Sequence, residues 1–163
     1  MPHDIIVIIV QVISVGLTYY FGRKSTTNDL KTKTLSKRYK QAYVPYIKTL
    51  YAGLMIEDVR DIPIDARSKF FDMLSHNLEY WDDETLRLYP VFYQTFLDTL
   101  EYENGDSGYA HAPAAFRKAW RAISLSILKH SQSIARELYM PPIGAALYEN
   151  YRHNAQKPPT PQA

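Results

Sequence analysis

The sequence predicts an all-α fold, in which one N-terminal transmembrane helix precedes a cytoplasmic bundle of about four or five helices. Two observations lead to this prediction. An uncharged run of seventeen residues, Ile5 to Phe21, lies near the amino terminus. Further along the chain, apolar residues recur three and four positions apart rather than at alternate positions, which is the periodicity of amphipathic helices.

The run from Ile5 to Phe21 is close to the length of a transmembrane helix. At about 1.5 Å of rise per residue it extends roughly 25 Å, against a hydrocarbon core of about 30 Å. We therefore expect residues 1–22 to form a membrane anchor. The residues expected to face lipid are Ile5, Ile9, Ile13, Leu17 and Phe21.

Three other interpretations of the run are weaker. A cleaved signal peptide needs basic residues before the run and small residues at a cleavage site, and neither is present. A single core strand would be unusually long. A buried soluble helix stays open as an alternative, because Gln11, Ser14 and Thr18 dilute the apolar run.

The charges that flank the run predict its orientation. No Lys or Arg precedes it, whereas eight basic residues and one acidic residue lie between Gly22 and Lys48. Basic residues in short loops stay on the cytoplasmic side of a membrane. We expect the N-terminus outside and the body in the cytoplasm, and the absence of cysteine agrees with a reducing compartment.

Residues 23–50 are predicted to form a basic amphipathic juxtamembrane helix, which we call the neck. Its apolar side contains Leu35, Tyr39, Ala42, Tyr43, Tyr46 and Leu50. Its basic side contains Arg23, Lys24, Lys31, Lys33, Lys37, Arg38 and Lys40. The pattern predicts a Tyr/Leu stripe that packs on the core beneath a solvated basic face, which anionic lipid headgroups would attract. Pro45 is expected to kink or divide this helix near Val44.

Residues 51–155 are predicted to form the helical bundle, and the Pro-rich segment 156–163 a disordered tail. The expected helices cover about Ala66–Trp81, Glu84–Tyr102, Ala114–Tyr139 and Ile143–His153. Asp65 is a candidate N-cap for the first of them, and Glu103–Ala112 is the clearest loop. The helix that begins near Ala114 is apolar on two sides, so we expect it to be central.

The helix expected over Glu84–Tyr102 begins with an acidic cluster, Asp82 to Glu84, which suits the unpaired N–H groups of a helix N-terminus. Pro90 is expected to kink this helix or to mark a second start. Its predicted core-facing residues are Leu86, Tyr89, Tyr93, Phe96, Leu97 and Leu100.

Two sets of residues could carry chemistry. Asp72, His76 and Glu79 fall on one helix face at the spacing that a metal or acid–base site uses, but no second helix offers matching ligands. His130 lies at the edge of an apolar stripe, where a lone histidine is more often a structural hydrogen bonder than a catalyst. We expect no cofactor, no metal and no catalytic motif.

The leading functional hypothesis is a membrane-anchored cytoplasmic helical module that binds or regulates a protein partner. One alternative is a membrane-associated enzyme with its site near His130 or at the Asp72/His76/Glu79 face. Another is an accessory subunit of a membrane complex. Expected partners are membrane lipid, through the anchor and the neck, and a protein. Nucleic acid is disfavoured because the chain after Lys48 has 11 basic and 15 acidic residues.

Overall fold

The computed structural model describes residues 28–52 and 63–156, with side chains up to His153, and every regular element in these ranges is helical. The prediction of an all-α bundle is confirmed for this part of the chain. Residues 28–37 fall in one compact unit, and residues from Arg38 onward in a second. The first unit is α-helical where it is described. The second unit contains the bundle.

A wide helical turn precedes Pro45. Residues Tyr39–Tyr43 form a π-helical turn, and helix α1 follows over Val44–Tyr51. The N–H of Val44 donates to the carbonyl of Tyr39, five residues earlier. Proline has no N–H, and its ring would clash with the carbonyl four residues before it in a regular helix. The wider turn accommodates Pro45, so the predicted division near Val44 takes the form of a π turn.

The apolar stripe predicted for the neck packs into the core of the bundle from Tyr39 onward, whereas Leu35 is only half-buried. Its members Tyr39, Ala42, Tyr43, Tyr46 and Leu50 are all at most 2% exposed. Ile47 is also fully buried and extends the same face. This part of the prediction is confirmed, and it makes the segment after Arg38 an integral element of the second compact unit.

Helix α2 covers Ile64–His76, which is shorter than predicted. Extended backbone at Pro63 precedes it, so Asp65 lies in its first turn and is not its N-cap. Asn77 leaves the helical region at φ −116° and ψ 20°, and a short 3₁₀ turn follows over Leu78–Tyr80. Trp81 is extended and buried, and its indole Nε1 donates to the Leu74 carbonyl at 2.9 Å. This bond fixes the direction of the chain into the next helix.

Helix α3 covers Asp83–Glu103 and passes through Pro90 without division. Its buried residues are Thr85, Phe92, Phe96 and Thr99. The core-facing side predicted for it is wrong in part, because Leu86, Tyr93 and Leu97 are 36–43% exposed. Apolar residues occur nearly all round this helix, so packing of the large Phe92 and Phe96 rings selects the buried side rather than the count of apolar residues.

The turn after α3 confirms the predicted loop. Gly105 has φ +101°, a conformation that side chains disfavour. The Asp106 carboxylate accepts the Gly108 N–H at 2.8 Å, at the start of a 3₁₀ turn over Ser107–Tyr109. Helix α4 then covers Ala112–Glu137, with Pro113 in its first turn, where the missing N–H is harmless.

Helix α4 is central in the bundle, as predicted. It packs against α3, against the π turn and against the helix that follows it. Its buried residues come from more than one side and are Ala112, Phe116, Ala119, Trp120, Ile123, Ser124, Ser126, Ile127, Leu128, Ser131, Ile134 and Ala135.

The chain reverses after α4 and closes the bundle with helix α5, Ala145–Gln156. Tyr139 has φ 55°, which ends α4. Gly144 lies where a side chain would be crowded: a Cβ there would be 3.1 Å from both Leu128 Cδ2 and Ser131 Oγ. This close approach seats the start of α5 against α4.

Aromatic rings fill the centre of the bundle. Phe70 of α2 and Trp120 of α4 stack with their centroids 4.0 Å apart. Phe92 of α3 lies 5.9 Å from Trp120, and Tyr46 of α1 lies 5.0 Å from Phe70. Rings from four helices therefore meet in one cluster, which fixes the relative positions of α1 to α4.

The predicted localisation, a single-pass membrane protein with its N-terminus outside and a cytoplasmic body, is corrected by the described helices. None of the helices in residues 28–52 and 63–156 is both long and apolar enough to cross a bilayer. The two longest, α3 and α4, carry charged residues along their length, which makes burial in lipid costly. The run Ile5–Phe21, on which the prediction rested, lies outside the described residues.

Candidate functional site

An open pocket lies where the start of α3 meets α4 and the π turn. Its volume is about 750 Å³. The residues that line it are Arg38, Trp81, Asp82, Asp83, Glu84, Arg87, Leu88 and His130. Six of these eight are charged or titratable, so the pocket is mainly polar.

Asp82 is the best-fixed side chain of the pocket. It is the N-cap of α3, and its Oδ1 accepts the Thr85 N–H at 3.0 Å. Its Oδ2 accepts the Thr85 hydroxyl at 2.8 Å, and that hydroxyl in turn lies 2.9 Å from Ser126 Oγ on α4. Helix capping and a buried hydroxyl pair thus orient this carboxylate.

His130 projects from α4 to the start of α3. Its Nε2 lies 3.1 Å from Asp82 Oδ1 and 3.2 Å from Glu84 Oε2. Lys129 Nζ lies 2.9 Å from the same Glu84 oxygen. Hydrogen bonds from Lys129 and from His130 lower the pKa of the Glu84 carboxyl. One imidazole nitrogen therefore faces two carboxylates from a different helix.

Arg38 forms the opposite wall. Its Nε donates to the Tyr80 carbonyl, and its Nη2 donates to the Tyr43 hydroxyl at 3.2 Å. The Tyr43 hydroxyl donates to Asp82 Oδ2 at 3.4 Å, which is a long bond. Burial raises the pKa of Tyr43 to about 12, so this hydroxyl stays protonated at neutral pH.

Two charged side chains of the pocket, Asp83 and Arg87, are unpaired within the described residues. They lie one turn apart on α3 with opposite charge, yet they form no ion pair or hydrogen bond with each other or with another described side chain. Both are exposed. These two side chains are therefore available to a ligand without loss of an existing contact.

The structure groups the candidate site residues differently from the sequence-based prediction. It brings His130 together with Asp82 and Glu84, which the sequence indicated only as acids at a helix start. It does not build a site at Asp72 and His76: the His76 Nδ1 lies 2.7 Å from the Asp72 backbone carbonyl, and α2 ends at His76. Glu79 belongs to the following 3₁₀ turn and is exposed.

The predicted basic face of the neck is exposed wherever its lysines are described, namely at Lys31, Lys33, Lys37 and Lys40. Arg38 differs, because it turns toward the pocket and is only half-buried there. The remaining predicted contacts with lipid lie outside the described residues. These are Arg23 and Lys24 of the neck and Ile5, Ile9, Ile13, Leu17 and Phe21 of the anchor.

Sequence reasoning missed the partners of His130 because they are far away along the chain. Glu84 lies 46 residues before it. The pairing depends on the register between α3 and α4, which the buried pair of Thr85 and Ser126 hydroxyls sets. The sequence offered only a partial signal, the acidic N-terminus of α3, which marks a cluster of carboxylates without showing what they face.

In the described part of the chain, one group of three metal-binding side chains has all its ligand atoms within 4.8 Å of one another: Asp82, Glu84 and His130. Fold and site together define a small all-helical domain with an open, charged pocket. Comparison of the chain with models of protein families, with curated proteins and with solved structures finds no match. Any function must therefore be argued from the pocket.

Proposed function

We propose that this protein is a binding module and that the pocket at the start of α3 receives a charged segment of a partner protein. One observation carries the proposal: Asp83 and Arg87 line the pocket, are exposed, and have no partner among the described residues. Charged side chains at protein interfaces are most effective when the partner supplies the opposite charges in matching positions.

The spacing of these two side chains indicates what the partner presents. Residues four apart on a helix have Cβ atoms about 5 to 6 Å apart. A matching partner carries one basic and one acidic side chain at a similar separation, such as one turn of its own helix provides. Trp81 and Leu88 add apolar surface to the same pocket. Mixed polar and apolar lining is typical of sites that recognise proteins.

Catalysis is less well supported by the same geometry. Among the described residues that line the pocket, the side chains able to act as nucleophiles are carboxylates and His130, and Asp82 and Glu84 are already engaged in hydrogen bonds. His130 could act as a base, but the nitrogen that reaches the pocket, Nε2, is already within 3.2 Å of two carboxylates. A general base needs that nitrogen free to reach the substrate.

A photo-crosslinking experiment tests the proposal. A photoreactive side chain at position 91, an exposed site one turn beyond Arg87, should give a discrete adduct with one partner protein in cells. The control is the same group at position 101, which is exposed at the far end of α3. The paired exchange Asp83→Lys with Arg87→Glu keeps the net charge, so its effect reports the positions of the charges.

The expected result is an adduct from position 91 that is absent from position 101 and is lost in the charge exchange. An adduct that forms equally from both positions, or that survives the exchange, would show that the pocket does not receive the partner. Circular dichroism of the exchange variant should match the unaltered protein, because both residues are exposed and unpaired.

A further inference from the structure

We infer that Asp82, Glu84 and His130 form a binding site for a divalent transition-metal ion of the Zn²⁺ type. The inference is independent of the partner proposed above, because it concerns the chain alone. It begins from three ligand atoms: His130 Nε2, Asp82 Oδ1 and Glu84 Oε2. All three lie within 4.8 Å of one another and face the pocket.

The two distances from the histidine nitrogen are close to those of a zinc site. Nitrogen and oxygen ligands lie about 2.0 to 2.2 Å from Zn²⁺, so neighbouring ligands at tetrahedral positions are about 3.3 to 3.6 Å apart. In this structure Nε2 lies 3.1 Å from Asp82 Oδ1 and 3.2 Å from Glu84 Oε2. The two carboxylate oxygens lie within 4.8 Å of each other, so the exposed Glu84 side chain must adjust for all three atoms to bind one ion.

The surroundings of Asp82 fit a metal ligand. Metal-binding carboxylates are usually oriented by further hydrogen bonds, and loss of those bonds weakens metal binding. Asp82 is 11% exposed and accepts the N–H and the hydroxyl of Thr85. Because Thr85 is itself fully buried against Ser126 of α4, the Asp82 carboxylate is already fixed in place.

The site is open on one side. Three protein ligands leave a fourth tetrahedral position, and because all three residues line the open pocket, water or a side chain of a partner can reach a bound ion. One imidazole and two carboxylates suit Zn²⁺ better than Mg²⁺ or Ca²⁺, which prefer oxygen ligands alone.

Lys129 competes with the metal ion in this arrangement. Its ammonium lies 2.9 Å from Glu84 Oε2, the oxygen that the ion would use. Lys129 is more than half exposed, so it can swing into solvent when the ion binds. Its presence weakens metal binding, and its removal strengthens it.

Calorimetric titration of the full chain with Zn²⁺ tests the inference. We expect one ion per chain at this site and a loss of at least tenfold in affinity for His130→Ala. His76→Ala is the matched control, since His76 is an exposed helical histidine whose Nδ1 faces its own backbone, and it should bind like the unaltered chain. His130→Gln, which keeps a polar side chain, repeats the loss if His130→Ala does not fold.

Lys129→Ala supplies a second readout that a purely structural ion pair would not produce. We expect it to bind Zn²⁺ several-fold more tightly. In nitrogen NMR spectra, the Nε2 signal of His130 should move on addition of Zn²⁺ and the signals of His76 should not. Equal affinity in the unaltered chain and His130→Ala means adventitious binding and overturns the site. Unchanged affinity in Lys129→Ala removes Glu84 from the ligand set and overturns the site as proposed.

Discussion

Charged side chains occur at both ends of α3, but the bundle treats them differently. At the C-terminal end, Arg67 is 5% exposed, and its Nη1 and Nη2 lie 2.8 Å and 3.0 Å from the two carboxylate oxygens of Glu103. At the N-terminal end, His130 and Glu84 meet at 3.2 Å but are 31% and 50% exposed. The two pairs have similar atom-to-atom distances, but water reaches His130 and Glu84 more easily than it reaches Arg67.

This difference separates a structural ion pair from a site. The Arg67 guanidinium has almost no access to solvent that could replace Glu103, and its Nε makes no hydrogen bond within the described part of the chain. The charged side chains of the pocket can exchange a contact within the chain for water or for a ligand at little cost in free energy. Burial of the partners, rather than their distance, decides which cluster stabilises the fold.

The largest effect is expected for Glu103→Ala, which leaves the buried Arg67 charge without its partner. Stability should fall by about 3 kcal/mol, the lower end of the range for breaking a buried ion pair, because Glu103 is one-third exposed. Urea denaturation measures this loss of stability. Glu101→Ala in the same turn is exposed and should change stability by less than about 0.5 kcal/mol. Equal effects of the two substitutions would mean that the pair is not structural.

At the other end of α3, Asp82→Ala should lower stability by about 1 to 2 kcal/mol, because it removes the N-cap of the helix. Asp82→Asn keeps a capping oxygen but replaces the acceptor Oδ2 by an amide donor, so its loss on urea denaturation should be smaller than that of Asp82→Ala. A loss with asparagine as large as the loss with alanine would show that the capping bond is not what Asp82 contributes to the fold.

The fold was predictable where the sequence is periodic. The stripe from Tyr39 to Leu50 and the central position of α4 followed from residues at helical spacing and are confirmed. The end of α2 was not predictable in this way, since its apolar pattern continues to Trp81 while the backbone turns at Asn77. The side of α3 that is buried was also not predictable, because apolar residues surround that helix and only packing chooses among them.

The pocket was beyond the reach of sequence reasoning for a different reason. Each of its elements was visible: an acidic helix start at Asp82 and a histidine at the edge of a stripe. The contact between them depends on the rotation and offset of α4 against α3. A shift of one residue in α4 would turn His130 by about 100° and separate it from Asp82. No pattern within a single helix encodes that relation.

A smaller effect is expected inside the core for Tyr46→Phe. The Tyr46 hydroxyl is buried and lies 2.8 Å from Ser124 Oγ, so its loss should lower stability at pH 7 by about 1 kcal/mol. Burial raises the pKa of Tyr46 well above its usual value. The folded state therefore disfavours ionisation, and the stability that Tyr46 contributes is present below pH 10, the usual tyrosine pKa, and decreases as pH rises above it.

Denaturation of the unaltered chain and Tyr46→Phe at pH 8 and at pH 11 checks the sign of this effect. The unaltered chain should lose more stability between the two values than the variant does, because the variant has one buried hydroxyl fewer to ionise. Ser124→Ala, which leaves the tyrosine in place, should keep the alkaline loss. Identical alkaline losses in all three proteins would mean that Tyr46 is not shielded from water.

The smallest effect is expected for Lys129→Ala at the pocket. Its hydrogen bond lowers the pKa of Glu84, but both side chains are at least half exposed, and water and salt screen such a pair. The midpoint of urea denaturation should therefore not move measurably at neutral pH. If the midpoint falls as far as it does for Glu103→Ala, the charged side chains of the pocket stabilise the fold as the buried Arg67–Glu103 pair does. They would then not be available to a ligand, and the basis for a site at the start of α3 would be lost.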